Sequence, residues 1–219
     1  ALVTSGRIGN PNLGPEASWN LEAGIDYYAN RGWKLTYGAF YRRHRNLIDW
    51  APTAYANMPR QVNLSPSGSY ALARNVEQVN TRGLELEASY NKKWTSDRSL
   101  SAMAGLTLMQ SSNDDSIPSF YIASHANVLA SFSVAWQHRS FSLSVNGLYK
   151  QRDRQEAAAI KAVVTPSYFV MNTKLGWRLP ARAGMLFVQA DNVFDKDYSD
   201  LLGSPMPGRW LSAGIDIRL

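Results

Sequence analysis

The strongest constraint in this sequence is an alternation of apolar and polar residues with a period of two, which recurs along almost the whole chain. It is clearest at residues 19–27 and 33–42, which are separated by Asn30, Arg31 and Gly32. Because successive side chains of a β-strand point to opposite faces, this period predicts strands with one apolar and one polar face. Nine such segments are present, at residues 19–27, 33–42, 84–90, 100–108, 128–136, 141–149, 169–177, 186–190 and 211–219.

The connections between these segments alternate between short and long. Short connections are predicted near residues 30–32, 94–97, 138–139 and 180–183, and long ones near 52–73, 112–123, 155–166 and 194–208. Outer-membrane β-barrels sort their connections in this way, with short periplasmic turns and long extracellular loops, whereas soluble β-sandwiches do not. Each apolar face also covers about nine to eleven residues, the length of a tilted strand that crosses a bilayer.

Aromatic residues gather at both ends of the predicted strands, as expected for the two interfaces of a membrane. Those at the short-turn ends are Tyr27, Trp33, Tyr90, Trp94, Trp136, Phe141 and Trp177, and those toward the long-loop ends are Tyr41, Tyr149, Phe169 and Trp210. The opposite face of the strands is polar and predicts a lumen that is not a dry core. Its polar residues are Asn20, Glu22, Asp26, Lys34, Glu85, Glu87, Lys174 and Arg178.

The predicted fold class is therefore all-β, and the chain is predicted to be a fragment of a transmembrane antiparallel β-barrel. Bacterial barrels have even strand numbers, so nine strands predict part of a larger barrel. We expect residues 1–16 to be an extracellular loop segment and residues 17–219 to be the C-terminal part of the barrel.

Composition excludes several other classes of protein. The net charge of +6 invites a nucleic-acid partner, but the basic residues are dispersed along the chain, so none is expected. There are no cysteines, and His44, His125 and His138 have no metal-ligand spacing, so no metal or other cofactor is expected. No GxSxG or phosphate-loop motif is present, which predicts that the chain is not an enzyme. A general porin, or a barrel enzyme that uses His44 or His125 at one mouth, stays open as an alternative.

Four motifs resemble those of TonB-dependent receptors. They are NPNLGPE at residues 10–16, NTRGLE at 80–85, NVFDKDY at 192–198 and SPMPGR at 204–209. The resemblance implies the last nine of about 22 strands around a plug domain, with the plug and the earlier strands outside this chain. It also implies the outer membrane of a Gram-negative bacterium as the location. The TonB complex, acting through the plug, and the remainder of the same receptor are the implied partners.

The substrate implied by resemblance is a bulky small-molecule nutrient. Residues 46–50 (NLIDW) and 75–81 (NVEQVNT) look most like cobalamin receptors of the Bacteroidetes, and siderophore and haem receptors share parts of them. Cobalamin is therefore the first expectation, with a ferric siderophore or haem as the alternative. The likeness to Bacteroidetes receptors also implies a surface lipoprotein lid as a further partner.

Cargo capture is expected from aromatic and hydrogen-bonding residues of the long connections, although each could equally be only solvated. The candidate ligand-binding residues are Trp50, Tyr55, Asn57, Arg60, Tyr70, Arg74 and Asn75 in the first long loop, Tyr121 and His125 in the second, and Arg152 and Arg154 in the third. Arg43 and Arg45 have outward parity above the apolar band, and we expect them to contact lipopolysaccharide phosphates.

Overall fold

The computed structural model describes residues 7–66, 68–113, 125–153, 155–157, 162–180, 184–201 and 204–217. Two predicted ligand residues, Tyr121 and Arg154, lie outside this described part. Its strands are β1 (Arg7–Ile8), β2 (Ala17–Ala29), β3 (Trp33–Ala54), β4 (Ser69–Thr95), β5 (Arg98–Asn113), β6 (Ala126–His138), β7 (Phe141–Arg152), β8 (Gln155–Ala157), β9 (Ala162–Val164), β10 (Ser167–Arg178), β11 (Gly184–Asp191), β12 (Ser199–Leu201), β13 (Ser204–Pro205) and β14 (Trp210–Ile217). A three-residue 3-10 helix spans Tyr55–Asn57. No helix within the described residues is long and apolar enough to cross a membrane.

Nine of these strands follow one another in a single sheet, in the order β14-β11-β10-β7-β6-β5-β4-β3-β2. Every predicted strand is present among the described residues, although residues 218–219 of the last one lie outside them. Neighbours in the sheet are also neighbours among the long strands along the chain. The pairings of β5, β6, β7, β10, β11 and β14 are antiparallel. The prediction of an up-and-down antiparallel sheet is confirmed.

The register places apolar and polar side chains on opposite faces, as the period of two predicts. Val145 is paired with Val134 on one side and with Thr173 on the other. The next residue, Asn146, is paired with Asn172, and the two amides are joined by a hydrogen bond of 3.0 Å. Polar side chains therefore bond to one another across strands on one face and leave the other face apolar.

Many large side chains on the apolar face of the sheet are exposed in this structure. One shallow depression is shared by side chains from four strands, Ile25, Tyr27, Leu35, Tyr37, Leu86, Ala88, Ala104 and Leu106. Most of these are large and exposed, with Ile25 66% exposed. An apolar surface of this extent is unfavourable in water, so it fits a sheet whose face is covered by lipid.

The short turns use backbone conformations that match strand twist. Arg31 has a φ of 71° and Gly32 a φ of 91° between β2 and β3, as in a type I′ hairpin turn. A Cβ atom on Gly32 would lie 2.1 Å from the carbonyl oxygen of Asn91, so only glycine fits there.

The strands β3 and β4 are longer than the sequence predicted. The connection between them covers residues 55–68 and not 52–73, so Trp50, Tyr70, Arg74 and Asn75 are strand residues and not loop residues. The extension of β3 was not predicted because Asn46 has a φ of 53°, and a left-handed residue inside a strand marks a bulge that breaks the period. The segment expected to be a loop, residues 1–16, also contains a strand, since β1 pairs in parallel with Ala71 and Leu72 of β4.

Contacts divide the chain into two compact units. The first comprises Ala1–Glu22, Phe40–Gly83 and Met109–His125, and its buried side chains include Leu47, Ala51, Met58, Leu72, Ala73 and Val79, with Asp49, Thr53 and Thr81 among them. The second comprises Ala23–Ala39, Leu84–Leu108 and Ala126–Leu219. Its buried side chains include Val164, Tyr168, Arg152 and Asn192. In this unit, the hairpins β8–β9 and β12–β13 occupy two of the predicted long loops.

Candidate functional site

A cleft of about 490 Å³ lies in the first unit, between residues 7–12 and residues 58–64. We call it the outer cleft. Apolar residues such as Ile8, Met58 and Leu64 line it together with Arg7 and Arg60. Such a mixture of apolar surface and a few polar donors is typical of a small-molecule site.

The segment that forms one wall of the outer cleft is fastened by Asn75. The Asn75 Oδ1 atom accepts a hydrogen bond of 2.8 Å from the Gly14 N–H. Its Nδ2 donates to the carbonyl oxygens of Gly14, at 3.0 Å, and Asn46, at 2.8 Å. The Ile48 N–H adds a bond of 3.2 Å to Glu16 Oε2. The NPNLGPE motif is thus held to β3 and β4, and Asn75 acts as a positioning residue.

The opposite wall belongs to the connection between β3 and β4, which is closed by its own hydrogen bonds. The Tyr55 N–H donates to the Gly68 carbonyl oxygen at 3.0 Å, and the Tyr55 carbonyl oxygen accepts from the Met58 N–H at 3.0 Å. The Tyr70 hydroxyl accepts from the Ser65 N–H at 2.6 Å and donates to the Ser65 carbonyl oxygen at 3.2 Å. Tyr70 therefore stabilises the loop from within, while Asn57 and Arg60 are exposed.

Few of the ligand-binding residues predicted from the sequence lie at the outer cleft. Among its lining residues, Arg60 is the predicted one. Trp50 is connected to it through Arg7, whose guanidinium carbon lies 5.8 Å from the centre of the Trp50 ring. Arg7 was not predicted, because its partner is 43 positions away in sequence and no local pattern marks a cation that will lie over an aromatic ring.

Arg152 does not line this cleft and is 5% exposed. Its guanidinium donates to the carbonyl oxygens of Thr165, Ser199 and Asp200, and its Nη2 lies 3.0 Å from Asp200 Oδ1. Lys150 Nζ lies 2.9 Å from the same carboxylate oxygen. Arg152 thus fastens β12 to the end of β7, which is a structural role.

The Asp200 carboxyl is the centre of that cluster. Burial raises its pKa, but hydrogen bonds from Lys150 and Tyr168 and the charges of Lys150 and Arg152 outweigh burial and hold the pKa below its ordinary value. Asp200 is therefore ionised at neutral pH, as the salt bridges require.

His125 lies in a separate chain of polar contacts. Its Nδ1 is 2.9 Å from the Ser111 hydroxyl, which is 2.9 Å from the Thr81 hydroxyl. Burial lowers the pKa of His125, and the charges of Arg42 and His44 lower it further, so the ring is neutral at pH 7. In the part of the chain that the structure describes, no three His, Asp or Glu residues are grouped so that they could hold a metal ion.

The two C-terminal motifs interlock and do not form a pocket. Asn192 is 4% exposed, and its Nδ2 donates to the carbonyl oxygens of Lys196 and Pro207 at 2.9 and 3.2 Å. Asp195 Oδ1 accepts a bond of 2.7 Å from the Arg209 N–H. These motif residues therefore fix the connection that leads into β14.

Comparison with known proteins agrees with this architecture. A family model described as "TonB dependent receptor-like, beta-barrel" matches residues 2–193. The vitamin B12 transporter BtuB of Photobacterium profundum is 26% identical over 209 aligned residues, which cover 87% of this chain and 28% of that protein.

Solved structures with the same fold are larger receptors and transporters. The pyoverdine receptor FpvA of Pseudomonas aeruginosa has a TM-score of 0.68 at 16% identity, with 94% of this chain and 30% of that chain covered. The copper transporter OprC has a TM-score of 0.66 at 18% identity, over 95% of this chain and 33% of that one. The FrpB iron transporter of Neisseria meningitidis has a TM-score of 0.63 at 18% identity, over 96% and 32%.

The chain thus spans about a third or less of the proteins that it resembles. The matching family consists of receptors and transporters, which removes the support for a barrel enzyme. The period-two strands, the open apolar face, the interlocked motifs and the family match lead to one conclusion: this chain belongs to the β-barrel domain family of TonB-dependent receptors.

Proposed function

We propose that the complete protein imports a bulky nutrient across the outer membrane of a Gram-negative bacterium, with cobalamin as the first-choice cargo. This chain would form the C-terminal part of the barrel and contribute a capture surface at its extracellular end. The transport energy would come from the TonB complex through a plug domain outside this chain. The observation that carries the proposal is the family match over residues 2–193.

The outer cleft is the capture surface that we propose within this chain. Trp50 and Arg7 form a cation–π pair beside it, and Arg60 is exposed in its rim. Cobalamin carries a phosphodiester and several carboxamides around a broad apolar ring. Guanidinium donors suit the phosphodiester and the amide oxygens, while Val62 and Leu64 suit the apolar surface.

Cobalamin is preferred over iron chelates because the curated relative is a vitamin B12 transporter. The structural neighbours are transporters or receptors of iron, copper and pyoverdine, so a ferric siderophore or haem is the second candidate. A surface lipoprotein lid over the extracellular end belongs to the same proposal, as the partner that would close over the bound cargo.

Calorimetry of the full-length receptor with cyanocobalamin, a ferric siderophore and haem tests the proposal. Tight binding of cyanocobalamin alone is the expected result. Binding of only an iron chelate would keep the importer and overturn the cargo. Ion conductance through an open pore, with no binding of any of the three, would favour a general porin.

Variants locate the capture surface. Trp50→Ala and Arg60→Gln are each expected to weaken cargo binding by about tenfold or more, because aromatic and arginine anchors dominate such surfaces. Arg139→Gln is the matched control, since Arg139 is an exposed arginine in the short turn between β6 and β7. Unchanged affinity in both cleft variants would place the capture surface elsewhere.

A further inference from the structure

We propose that the short-turn end of the second unit binds the carboxylates of the cell-wall polymer through a row of exposed cations. The row consists of Arg31, Lys93, Arg139 and Arg178, which all belong to the second unit. We call it the basic rim. The proposal rests on the outer-membrane location given under the proposed function, because the short turns then face the periplasm, but it does not depend on the cargo.

Basic residues are spread along the sequence, but the short turns and their flanks gather several of them. Residues 30–32, 92–98, 138–140 and 178–180 contain one carboxylate, Asp97, and six Lys or Arg residues, Arg31, Lys92, Lys93, Arg98, Arg139 and Arg178. The four long connections of the main sheet differ, since they contain seven acidic and five basic residues. The short-turn end therefore has an excess of positive charge that the long connections lack.

Backbone hydrogen bonds join neighbouring turns and fix the order of the basic rim. The Asn91 N–H donates at 2.9 Å to the carbonyl oxygen of the glycine in the β2–β3 turn, two residues before Lys93. The Arg139 N–H donates to the Asp97 carbonyl oxygen at 2.8 Å. The Arg178 N–H donates to the Ser140 carbonyl oxygen at 2.7 Å. The backbone that carries the four cations is thus held in one continuous row of turns.

The basic rim is long compared with a single anion. It extends from the β2–β3 turn to the end of β10, across seven neighbouring strands of the sheet. With about 4.8 Å between neighbouring strands, the row is roughly 25 Å long. One carboxylate or phosphate group can reach only one or two of these cations, whereas a polymer with repeated anionic groups can reach all four.

The basic rim does not belong to the apolar face of the sheet. Arg31 and Arg139 lie at turn tips, where their φ angles are 71° and 55°. Lys93 and Arg178 have the parity of the polar faces of β4 and β10. This placement favours an anionic partner in the aqueous periplasm over the headgroup of a phospholipid beside the apolar face.

The charge of the basic rim is not neutralised within the described part of the chain, where none of its four cations makes an ion pair with a carboxylate. Lys34 of β3 differs, because Asp26 pairs with it at 3.1 Å. Asp97 accepts a hydrogen bond of 2.6 Å from the Thr95 hydroxyl, and its single charge can offset only one cation of the short-turn end. Exposed guanidinium groups in such surroundings favour carboxylates, which they can bind through two parallel hydrogen bonds.

The cell-wall polymer has the chemistry that the basic rim requires. It is a glycan whose short peptides carry free carboxylates at repeated intervals, and it lies in the periplasm beneath the outer membrane. Each exposed ion pair contributes little, but several contacts to one polymer add up because the later contacts form within the same complex. Binding should therefore be reversible and should weaken as the salt concentration rises.

Co-sedimentation of the full-length receptor in detergent with purified peptidoglycan sacculi tests the proposal. Replacement of all four rim residues by glutamine should weaken binding to the sacculi by about tenfold or more. The matched control removes the same number of charges from β3 and β4 away from the short turns and should bind like the wild type. It replaces by glutamine Arg43, Arg45, Arg74 and Arg82.

Replacement of the three rim arginines by lysine keeps the charge and should preserve binding to within about twofold, since exposed pairs depend mainly on charge. Heat-dependent electrophoretic migration checks that each variant is folded. Cyanocobalamin binding should be unchanged in the glutamine rim variant, so failure of the cargo proposal and failure of the rim proposal can be told apart.

Four results would overturn the proposal. The folded glutamine rim variant could sediment like the wild type, the matched control could lose as much binding, or the folded lysine variant could lose as much as the glutamine variant. Sacculi whose carboxylates have been converted to amides could also bind the wild type undiminished. Displacement of the receptor from sacculi by micellar phosphatidylglycerol would equally overturn it, because the rim would then be a phospholipid site.

Discussion

At the scale of single residues, two asparagine side chains hydrogen-bond to the backbone of segments that lie outside the sheet and hold these segments in place. Asn75 holds the NPNLGPE segment, and Asn192 holds the connection before β14. The asparagine amide has both a donor and an acceptor, so one side chain can satisfy N–H and C=O groups that no neighbouring strand reaches. Both residues belong to segments with a family resemblance, and their structural role explains why asparagine suits those positions.

We predict that Asn75→Ala releases residues 10–16 from β3 and β4. The substitution leaves the Gly14 N–H and the carbonyl oxygens of Gly14 and Asn46 without this partner, at a cost of about 1–3 kcal/mol for each group that water cannot reach. Hydrogen exchange of residues 10–16 in the full receptor should become faster. Arg74→Ala is the control, because Arg74 is the neighbouring exposed side chain. Unchanged exchange in Asn75→Ala would contradict the role of the amide.

The strands whose side chains alternate between two different surroundings were predictable from the sequence, whereas the residues whose partners are distant in the sequence were not. The nine strands were predictable because side chains that face lipid are apolar and side chains that face the lumen are polar, and the two kinds alternate along each strand. The extension of β3 was not, because the left-handed Asn46 breaks the period and the residues buried beyond it include the polar Asp49 and Thr53. The extension of β4 was not, because the successive residues Leu72 and Ala73 are both buried and do not alternate. Arg152 looked like a loop residue because its partners in β12 are 47 and 48 positions away.

At the scale of strands, β7 offers a direct test of which face meets lipid. Val145 belongs to the apolar face, and Ser144 precedes it on the polar face opposite Lys174 of β10. We predict that Val145→Arg destabilises the complete receptor by roughly 2–4 kcal/mol near the membrane midplane, and Ser144→Arg by much less. The difference arises because one arginine must enter hydrocarbon, whereas the other enters a polar lumen.

Reversible unfolding of both variants in lipid vesicles, by denaturant titration, measures this difference. Leu106 and Thr107 of β5 form a second pair of the same kind, with Leu106 on the apolar face shared with Leu86. Equal costs for Val145→Arg and Ser144→Arg would show that the two faces are wrongly assigned.

At the scale of the whole molecule, the two outer strands of the sheet limit what the chain can do alone. The sheet ends at β2 and β14, and nine strands in an up-and-down order make these two run in the same direction. Closing the sheet on itself would therefore need a parallel pair, whereas bacterial outer-membrane barrels have even numbers of antiparallel strands. We therefore expect the complete barrel to contain an odd number of further strands.

We predict from these edges that residues 1–219 alone do not form a stable membrane barrel. The outer edges of β2 and β14 have no neighbouring strand in this chain. In hydrocarbon, each unpaired backbone group at these edges costs several kcal/mol, and burial of the apolar face of nine strands cannot offset this cost. After refolding in detergent, the full receptor should migrate faster in unheated than in heated electrophoresis samples, and this chain should migrate alike in both. A heat-sensitive, protease-resistant monomer of this chain would contradict the prediction, since it would mean that β2 and β14 can close the sheet without the rest of the receptor.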